Sequence, residues 1–512
     1  MNLRTKQAPK SDKRSFAAPL SENYPLLGIL IGTVLVSASI GPLHNIDTQL
    51  EFDAASGVIK WGLPYITYKN MINQPPLGFY TEALFLKVFG LSYNTGVALV
   101  TLIGLGCTVL VYQLGKTLYG KPTATLAAAL FALTPWQFAL SRSFLIDAQC
   151  LFFSLLCLLV GIYAMRKDSF ILFMISGTLF ATALLTKFFA VFILIPLTFF
   201  YFYHRQSKLR HVPAAVAYFL PTLLFLVVWY QILNADRGLI SIIVIEDFNN
   251  FNPVGTVPSF FFVINYLSDG LGAPFLIATA LSLIASFADK RLFAKLLPFD
   301  LMCLASILAV GSINTFLAVG LNLKSPYINP IKYDYQFLPF FSLLAASLVG
   351  KCVLLFNSAK SKEKLSKLLF SIASVGLVLL AASMLLNINF LNQHSTGDHW
   401  LFKVERNQNI GYSFINSTPL KENSPLMSIQ YLGFAFALSG LVWASRHKLA
   451  GFLYGLFKRM LLWIEAKNLQ ASSQKDYLQD RRLRRPTSVK EHQASEMSIL
   501  PSLYLKISDT EN

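Results

Sequence analysis

The chain has 512 residues, of which 54% are hydrophobic and 13% are charged, and its 43 Lys and Arg outnumber its 26 Asp and Glu. A soluble domain carries roughly 25% charged residues, so this composition excludes a soluble globular protein. A membrane protein needs Lys and Arg to anchor its cytoplasmic loops. That need accounts for the positive net charge, and we expect no nucleic-acid partner.

Apolar segments long enough for membrane helices follow one another along the whole chain. Each runs for about 18 or more residues with almost no charge, the length that crosses a hydrocarbon core as a helix. The segments lie near residues 24–43, 94–114, 122–141, 144–165, 169–186, 188–203, 212–234, 272–288, 298–321, 336–356, 367–391 and 427–445. Only Lys187 separates the fifth from the sixth. The sequence therefore predicts an all-α, polytopic integral membrane protein with about 12 transmembrane helices.

The loops between these segments alternate in their content of basic residues. The N-terminal tail (1–22) and every second loop after it carry Lys and Arg, whereas loops 44–93, 235–271, 322–335 and 392–426 are longer and less basic. Cytoplasmic loops hold the excess of Lys and Arg. We therefore expect the tail inside the cell and these four loops outside, in a plasma (inner) membrane.

The transmembrane domain is expected to cover residues 23–448, and two cytoplasmic segments follow it. Residues 449–466 are apolar but carry Lys458 and Arg459 in mid-run, which is typical of a helix lying in the membrane interface. Residues 467–512 are polar and basic, a composition that predicts a disordered tail in contact with anionic lipid headgroups.

The first loop, residues 44–93, has the pattern of a folded element. DTQLEFDAASGVIKWG indicates a helix, LPYITYKNMINQ an extended segment, and PPLGFYTEALFLKVFG a second helix that a Pro pair would start. Apolar residues between Leu84 and Phe89 would lay the second helix in the membrane interface. Such a loop can cover a molecule that enters from the lipid.

The motifs of this loop resemble those of the C-type membrane glycosyltransferases that use polyprenyl-phosphate sugars, such as the lipid A aminoarabinose transferases and the protein O-mannosyltransferases. In that family an acid opens the first outer loop, a Gly ends the helix that follows, and a Pro-Pro-Leu-Gly-aromatic segment comes next. Asp47, Gly62 and QPPLGFY (74–80) stand in these places here. A second family acid starts the fourth span, where this chain has Asp147.

The resemblance, which covers roughly residues 24–345, implies a polyprenyl-phosphate sugar as donor and a lipid, glycan or protein as acceptor. One departure concerns the donor phosphate. Many relatives have an acid and a Lys before the Pro pair, and the Lys would meet the phosphate; this chain has Asn73 and Gln74 instead. The phosphate ligands must therefore be sought elsewhere.

The chemistry of sugar transfer also calls for acids and cations. An inverting transfer needs one carboxylate to accept the acceptor's proton, and the leaving phosphate needs cations or a metal ion. Asp47 is the candidate base. Asp147 would hold a divalent metal, orient the acceptor or shape the site, and these alternatives remain open, as does whether any cofactor takes part.

Candidate donor-binding residues come from the outward-facing cations, the segment before the Pro pair and YINPIKYDYQFLPFF, which the resemblance implies would close the site from the later half. They are Arg142, Lys332, Gln74, Lys69, Tyr333, Tyr335 and Glu51. Lys187 and Lys324 are further outward-facing cations, and Arg142 and Lys332 are favoured by position. Simpler interpretations exist: Asp47 and Glu51 would be the wet face of a helix, and Asp147 would pair with Arg142.

Two other classes of protein handle similar substrates. A transporter or lipid flippase buries charges near the bilayer midplane and shows paired halves, whereas here the ionisable residues gather at span ends and in loops. A surface-polysaccharide polymerase or ligase would share lipid-linked substrates, and loop 392–426 is its only candidate site. The sequence favours the glycosyltransferase.

Overall fold

The structure of the chain, a computed structural model, describes the following residues. They are 18–39, 41–44, 46–68, 70–72, 74–203, 211–234, 271, 273–320, 335–358, 375–376, 379, 415–416, 432 and 435, all within the unit Met1–Ala444. The predicted interfacial helix (449–466) and tail (467–512) lie outside them, as do residues 1–17 of the predicted N-terminal tail.

The described residues are almost entirely helical. In chain order the helices are α1 (Ala18–Ser39), α2 (Ile46–Trp61), α3 (Leu77–Phe89), α4 (Tyr93–Leu118), α5 (Lys121–Ala132), α6 (Pro135–Ser141), α7 (Asp147–Lys167), α8 (Phe170–Thr186), α9 (Leu194–Tyr203), α10 (His211–Asn234), α11 (Ala273–Ala288), α12 (Leu297–Gly320) and α13 (Leu338–Ser358). Two 3₁₀ turns, Phe188–Ile193 and Tyr335–Phe337, precede α9 and α13.

Four short strands complete the secondary structure of the residues that the structure describes. They are β1 (Leu43–His44), β2 (Tyr65–Thr67), β3 (Asn70–Met71) and β4 (Ile415–Asn416). β1 pairs antiparallel with β4, with Leu43 opposite Asn416, and β2 forms a hairpin with β3. The sheets are too small to form a layer of their own, so the predicted all-α class is confirmed.

The first ten predicted spans all have helical counterparts in the described residues. By length and composition, three described helices can cross a membrane: Tyr93–Leu118, Asp147–Lys167 and Tyr335–Cys352. Shorter apolar helices occupy most of the other predicted spans. Almost all of the spans at 367–391 and 427–445 lies outside the described residues, so the number of about twelve stays a prediction.

One predicted span differs from the structure. The apolar run 122–141 forms two helices, because the chain leaves the helix after Ala132 and restarts at Pro135. Proline has no backbone N–H and is favoured in the first turn of a helix, and the Thr134 side chain accepts a hydrogen bond from the Gln137 amide at 3.4 Å. The run is apolar throughout, so hydropathy alone did not show the boundary between the two helices.

The core of the molecule surrounds α7. This helix packs against α4 and α8, while α5 packs against α4 and α13, and α8 against α10. The largest fully buried side chains include Trp136, Tyr112 and Tyr335. The N-terminal end of α7 meets the first loop, and this end positions the candidate site.

The first loop has the fold that its sequence predicts, with α2, the β2–β3 hairpin and α3 in order. Gly62 follows α2 with φ +80°, a conformation that glycine adopts at low cost at a helix end. The Tyr80 hydroxyl of α3 donates to the Gly62 carbonyl at 2.8 Å. Leu84 and Val88 are each 66% exposed, so α3 shows one apolar face to its surroundings, as expected for an interfacial helix.

Candidate functional site

A buried ion pair lies at the start of α7. The Lys187 ammonium donates to Asp147 Oδ2 at 2.7 Å, and the two side chains are 7% and 1% exposed. A buried carboxylate is costly unless it is paired, and Lys187 supplies the pairing. The expectation that Arg142 would be the partner is wrong, because Lys187 occupies that position.

A break between two helices places Lys187 in the site. α8 ends at Thr186, and Lys187 itself has an extended backbone (φ −159°, ψ 139°) before the 3₁₀ turn begins at Phe188. Its carbonyl still accepts a hydrogen bond from the Ala190 amide at 3.1 Å. The lone charge between two apolar runs thus marks the chain break that turns its side chain towards α7.

Glu51 ties the first loop to α7. Its side chain is fully buried. Oε2 accepts a hydrogen bond from the backbone amide of Ile146 at 2.8 Å, and Oε1 accepts one from Gln74 Nε2 at 3.2 Å. One carboxylate therefore joins α2, the segment before the Pro pair and the residue that precedes Asp147.

Asp47 lies one helical turn before Glu51. Both belong to α2, Asp47 in its first turn, and residues four apart share a helix face about 6 Å apart along the axis. Asp47 is partly exposed, whereas Glu51 is buried. The structure thus brings Asp47, Glu51, Gln74 and Asp147 to one end of the bundle, with the exposure rising towards Asp47.

α3 approaches this end closely because residue 78 is a glycine. A Cβ added to Gly78 would lie 2.6 Å from Ile146 Cγ2 and 3.2 Å from Thr186 Cγ2. Ile146 and Thr186 directly precede the two members of the ion pair, so the QPPLGFY segment packs against both. The Gly of this motif therefore has a steric role in this chain.

Glu82 is an acid of the site that the sequence analysis did not single out. It lies one turn after Gly78 on the buried side of α3, with Phe79, Ala83 and Leu86. Gln149 Nε2, from the first turn of α7, donates to Glu82 Oε1 at 3.0 Å. The sequence signal that could have identified Glu82 is an acid at helical spacing among the apolar residues of α3.

The Arg142 side chain lies apart from the ion pair. It follows α6 and donates to the Thr101 hydroxyl at 3.3 Å. Its carbonyl accepts a hydrogen bond from the Leu43 amide at 2.8 Å, which holds the start of the first loop against the α6–α7 turn. Arg142 thus borders the loop, and its contact with a donor stays a prediction.

Tyr335 is a fully buried side chain whose hydroxyl donates to Gln137 Oε1. Its neighbour Gln336 donates to Cys150 Sγ at 3.5 Å, one turn into α7. The segment around 335 therefore does reach α7 from the later half of the chain. Lys69, Lys332 and Tyr333 lie outside the described residues, so their predicted role in donor binding is unchanged.

The sequence left open whether Asp147 binds a divalent metal, and the described part of the chain contains no set of ligands for one. No three His, Cys, Asp or Glu side chains gather there closely enough to hold a metal ion. Asp147 Oδ2 is engaged by Lys187. No step below is therefore assigned to a metal.

One family profile and two proteins of known sequence match parts of this chain. The profile of the family described as Dolichyl-phosphate-mannose-protein mannosyltransferase matches residues 73–230. In Bacillus subtilis (strain 168), the "Putative mannosyltransferase YkcB" is 27% identical over 171 residues, 33% of this chain and 22% of that protein. YycA, named in the same way and from the same strain, is 27% identical over 137 residues, 27% of this chain and 20% of that protein. The matched stretch thus spans about a fifth of each of these relatives.

Solved structures show the fold of the chain. The crystal structure of ArnT from Cupriavidus metallidurans in the apo state is similar with a TM-score of 0.50 and 14% sequence identity, over 83% of this chain and 78% of that one. This similarity confirms the resemblance on which the sequence analysis relied. The chain is a polytopic helical membrane protein whose fold is similar to that of ArnT over most of its length.

Proposed function

We propose that the chain is a membrane glycosyltransferase that moves a sugar from a polyprenyl-phosphate donor to a lipid, glycan or protein acceptor. The observation that carries the proposal is the hydrogen bond between Glu51 and the Ile146 amide. This hydrogen bond holds the loop that carries Asp47 against the N-terminal end of α7, where Asp147 pairs with Lys187. Acids and a cation that are far apart in sequence thus meet at one end of the bundle.

The reaction is a single displacement with inversion. The acceptor's hydroxyl oxygen attacks the anomeric carbon, the bond from that carbon to the phosphate oxygen breaks, and the polyprenyl phosphate leaves with the bonding electrons. Asp47 accepts the hydroxyl proton, as a positioned general base does. Asp47 suits this role because it is the partly exposed acid of the group.

Lys187 supplies the cation for the leaving phosphate. Gln74 stands where many relatives have a Lys, and its amide carries no charge, so the charge must come from another element. The Lys187 ammonium is held at 2.7 Å from Asp147, within the group that also contains Gln74 and Glu51. A preorganised cation where negative charge develops is an effective stabiliser of a transition state.

The distribution of basic residues among the loops supports an outward-facing site in a plasma (inner) membrane. The first loop, with Asp47, belongs to the poorly basic set of loops, whereas Arg166 and Lys167 end α7 at its far end. By the positive-inside rule the far end is cytoplasmic. The donor then enters the site from the outer leaflet.

Turnover of lipid-linked sugars tests the proposal. Wild type, Asp47→Asn and Asp53→Asn are purified in detergent and assayed with a panel of polyprenyl-phosphate sugars and acceptors. Asp53 lies on the same helix and accepts a hydrogen bond from Gln49, so its variant is the matched control. We expect Asp47→Asn to lower kcat/KM by about 10²–10⁴-fold and Asp53→Asn to stay near wild type.

Three outcomes would count against the proposal in different ways. Full activity of Asp47→Asn would remove Asp47 as the base. Equal loss in both variants would indicate a folding defect of α2, which the unfolding temperature of each variant detects. Failure of wild type to release any sugar, together with movement of the intact donor across a bilayer, would favour the flippase.

A further inference from the structure

Glu82 is a carboxyl group with no exposed surface in the middle of the first loop. Its relative exposure is 0%, as is that of Phe79 before it, and Ala83 and Leu86 complete the buried stripe. Burying an ionised carboxylate is expensive unless it is paired with a cation or fully hydrogen-bonded. The contacts of Glu82 meet neither condition.

Only one oxygen of Glu82 is satisfied. Oε1 accepts a hydrogen bond from Gln149 Nε2 at 3.0 Å, whereas Oε2 has no hydrogen-bond partner among the described residues. The described lysine next to this group, Lys187, is bound to Asp147. A proton on Oε2 would remove the charge that burial penalises.

The charged groups around Glu82 also oppose its ionisation. Glu51 on α2 and Asp147 on α7 act on it as like charges. Tyr93 on α4 faces the same group as an uncharged phenol. Among the described cations, Lys187 is paired with Asp147 and Arg142 interacts with Tyr93. Burial first, and then the charge of Glu51, raise the pKa of Glu82 well above its ordinary value of 4.5. The Gln149 hydrogen bond lowers this pKa, and the charge of Asp147 raises it by a smaller amount.

We infer that Glu82 is a positioning residue that stays protonated while the protein works and keeps a third negative charge away from Asp147 and Lys187. The inference rests on the proposed function. A phosphate that approaches Lys187 already meets two carboxylates, Glu51 and Asp147. An uncharged Glu82 leaves the cation able to attract the phosphate, whereas an ionised Glu82 repels it and competes for Lys187.

The consequence is a loss of turnover at alkaline pH. The protonated form is the competent one, so turnover falls as pH rises through the raised pKa of Glu82. Glu82→Gln has no proton to lose and can keep a polar contact with Gln149, so it should remain active and lack this decline. Glu82→Leu is also uncharged but loses the polar contact with Gln149, and we expect reduced turnover at every pH.

The protonation state is measured without substrate. Infrared spectra of the purified full-length protein are recorded between neutral and alkaline pH, with and without ¹³C-labelled glutamate. We expect a carboxylic-acid C=O band at neutral pH that shifts with the label, disappears at alkaline pH and is missing from Glu82→Gln. The pH dependence of kcat/KM is then compared between wild type and Glu82→Gln.

The infrared band, the pH dependence of kcat/KM and the turnover of wild type each test one part of the inference. Absence of a protonated glutamate band in wild type at neutral pH would overturn the inference, even if no variant folds. The same alkaline decline in wild type and Glu82→Gln would overturn it as well. If the band is present but wild type turns over no donor, the protonation of Glu82 stands and the proposed function fails, so the two are distinguishable.

Discussion

At the scale of single residues, the site is a set of buried charges whose pairing the sequence does not reveal. An acid at the start of a predicted span was evident at Asp147, because a charge at the edge of an apolar run needs a partner. The nearest cation in sequence, Arg142, was the obvious candidate. The actual partner, Lys187, is 40 residues away, and only the packing of α7 against α8 brings the two together.

The ion pair predicts a large loss of stability when one member is removed. Lys187→Met leaves Asp147 buried without its cation, and we expect the free energy of unfolding to fall by about 3–5 kcal/mol. Asp147→Asn combined with Lys187→Met should lose less, because no unpaired charge remains. Thermal unfolding in detergent measures the difference, with Lys116→Met as the exposed control. A Lys187→Met variant as stable as the control would show that the pair contributes nothing.

At the scale of elements, the first loop was predictable and its docking was not. The sequence predicts α2, an extended segment and α3, and the Pro pair that starts α3 acts locally. That the extended segment forms the β2–β3 hairpin is seen only in the structure. The contact of Glu51 with the Ile146 amide depends on two elements that are 95 residues apart. The division of the run 122–141 into α5 and α6 was missed because apolar composition alone does not show where a helix stops.

The close approach of α3 predicts that Gly78 is sensitive to a single added methyl group. Gly78→Ala forces a Cβ to within 2.6 Å of Ile146 Cγ2. Overpacking of this kind typically costs about 1–3 kcal/mol, and here it also moves α3 away from the ion pair, so turnover should fall. Gly311→Ala is the matched control, because a Cβ there meets nothing within 4 Å. Equal stability and turnover of the two variants would contradict this account of the packing.

At the scale of the whole molecule, the buried ion pairs Asp147–Lys187 and Lys351–Asp300 hold different parts of the described bundle. Asp147–Lys187 joins α7 to the end of α8, and Lys351–Asp300, at 2.8 Å with no exposed surface on either side chain, joins α13 to α12. Ser282 of α11 accepts a hydrogen bond from Lys351 at 2.6 Å, so a third helix belongs to the second network. Only the first lies at the end that carries Asp47. The first loop and the Asp147–Lys187 pair meet at this end of the bundle, which is where we propose the site.

The all-α class followed from hydropathy, since this is a property of the sequence itself, and the position of the site, taken from loop charge and one set of motifs, stays a prediction. The identity of the phosphate-binding cation did not follow. Gln74 showed that the Lys of many relatives is missing, but the sequence offered Arg142, Lys187 and several other cations in its place. Of these cations the structure describes two, Arg142 and Lys187, and it is Lys187 that pairs with Asp147, so we propose Lys187 for this role.

The configuration of the transferred sugar tests the central claim, a single displacement with one base, most directly. With a donor and acceptor that the protein turns over, proton NMR of the anomeric signal follows the product from the first minutes of the reaction. Direct attack on the face opposite the phosphate, with Asp47 taking the proton, inverts the anomeric centre. The account predicts a linkage of configuration opposite to that of the donor. A product that retains the donor's configuration would contradict it, because retention requires a second displacement through a group that the proposed site does not assign.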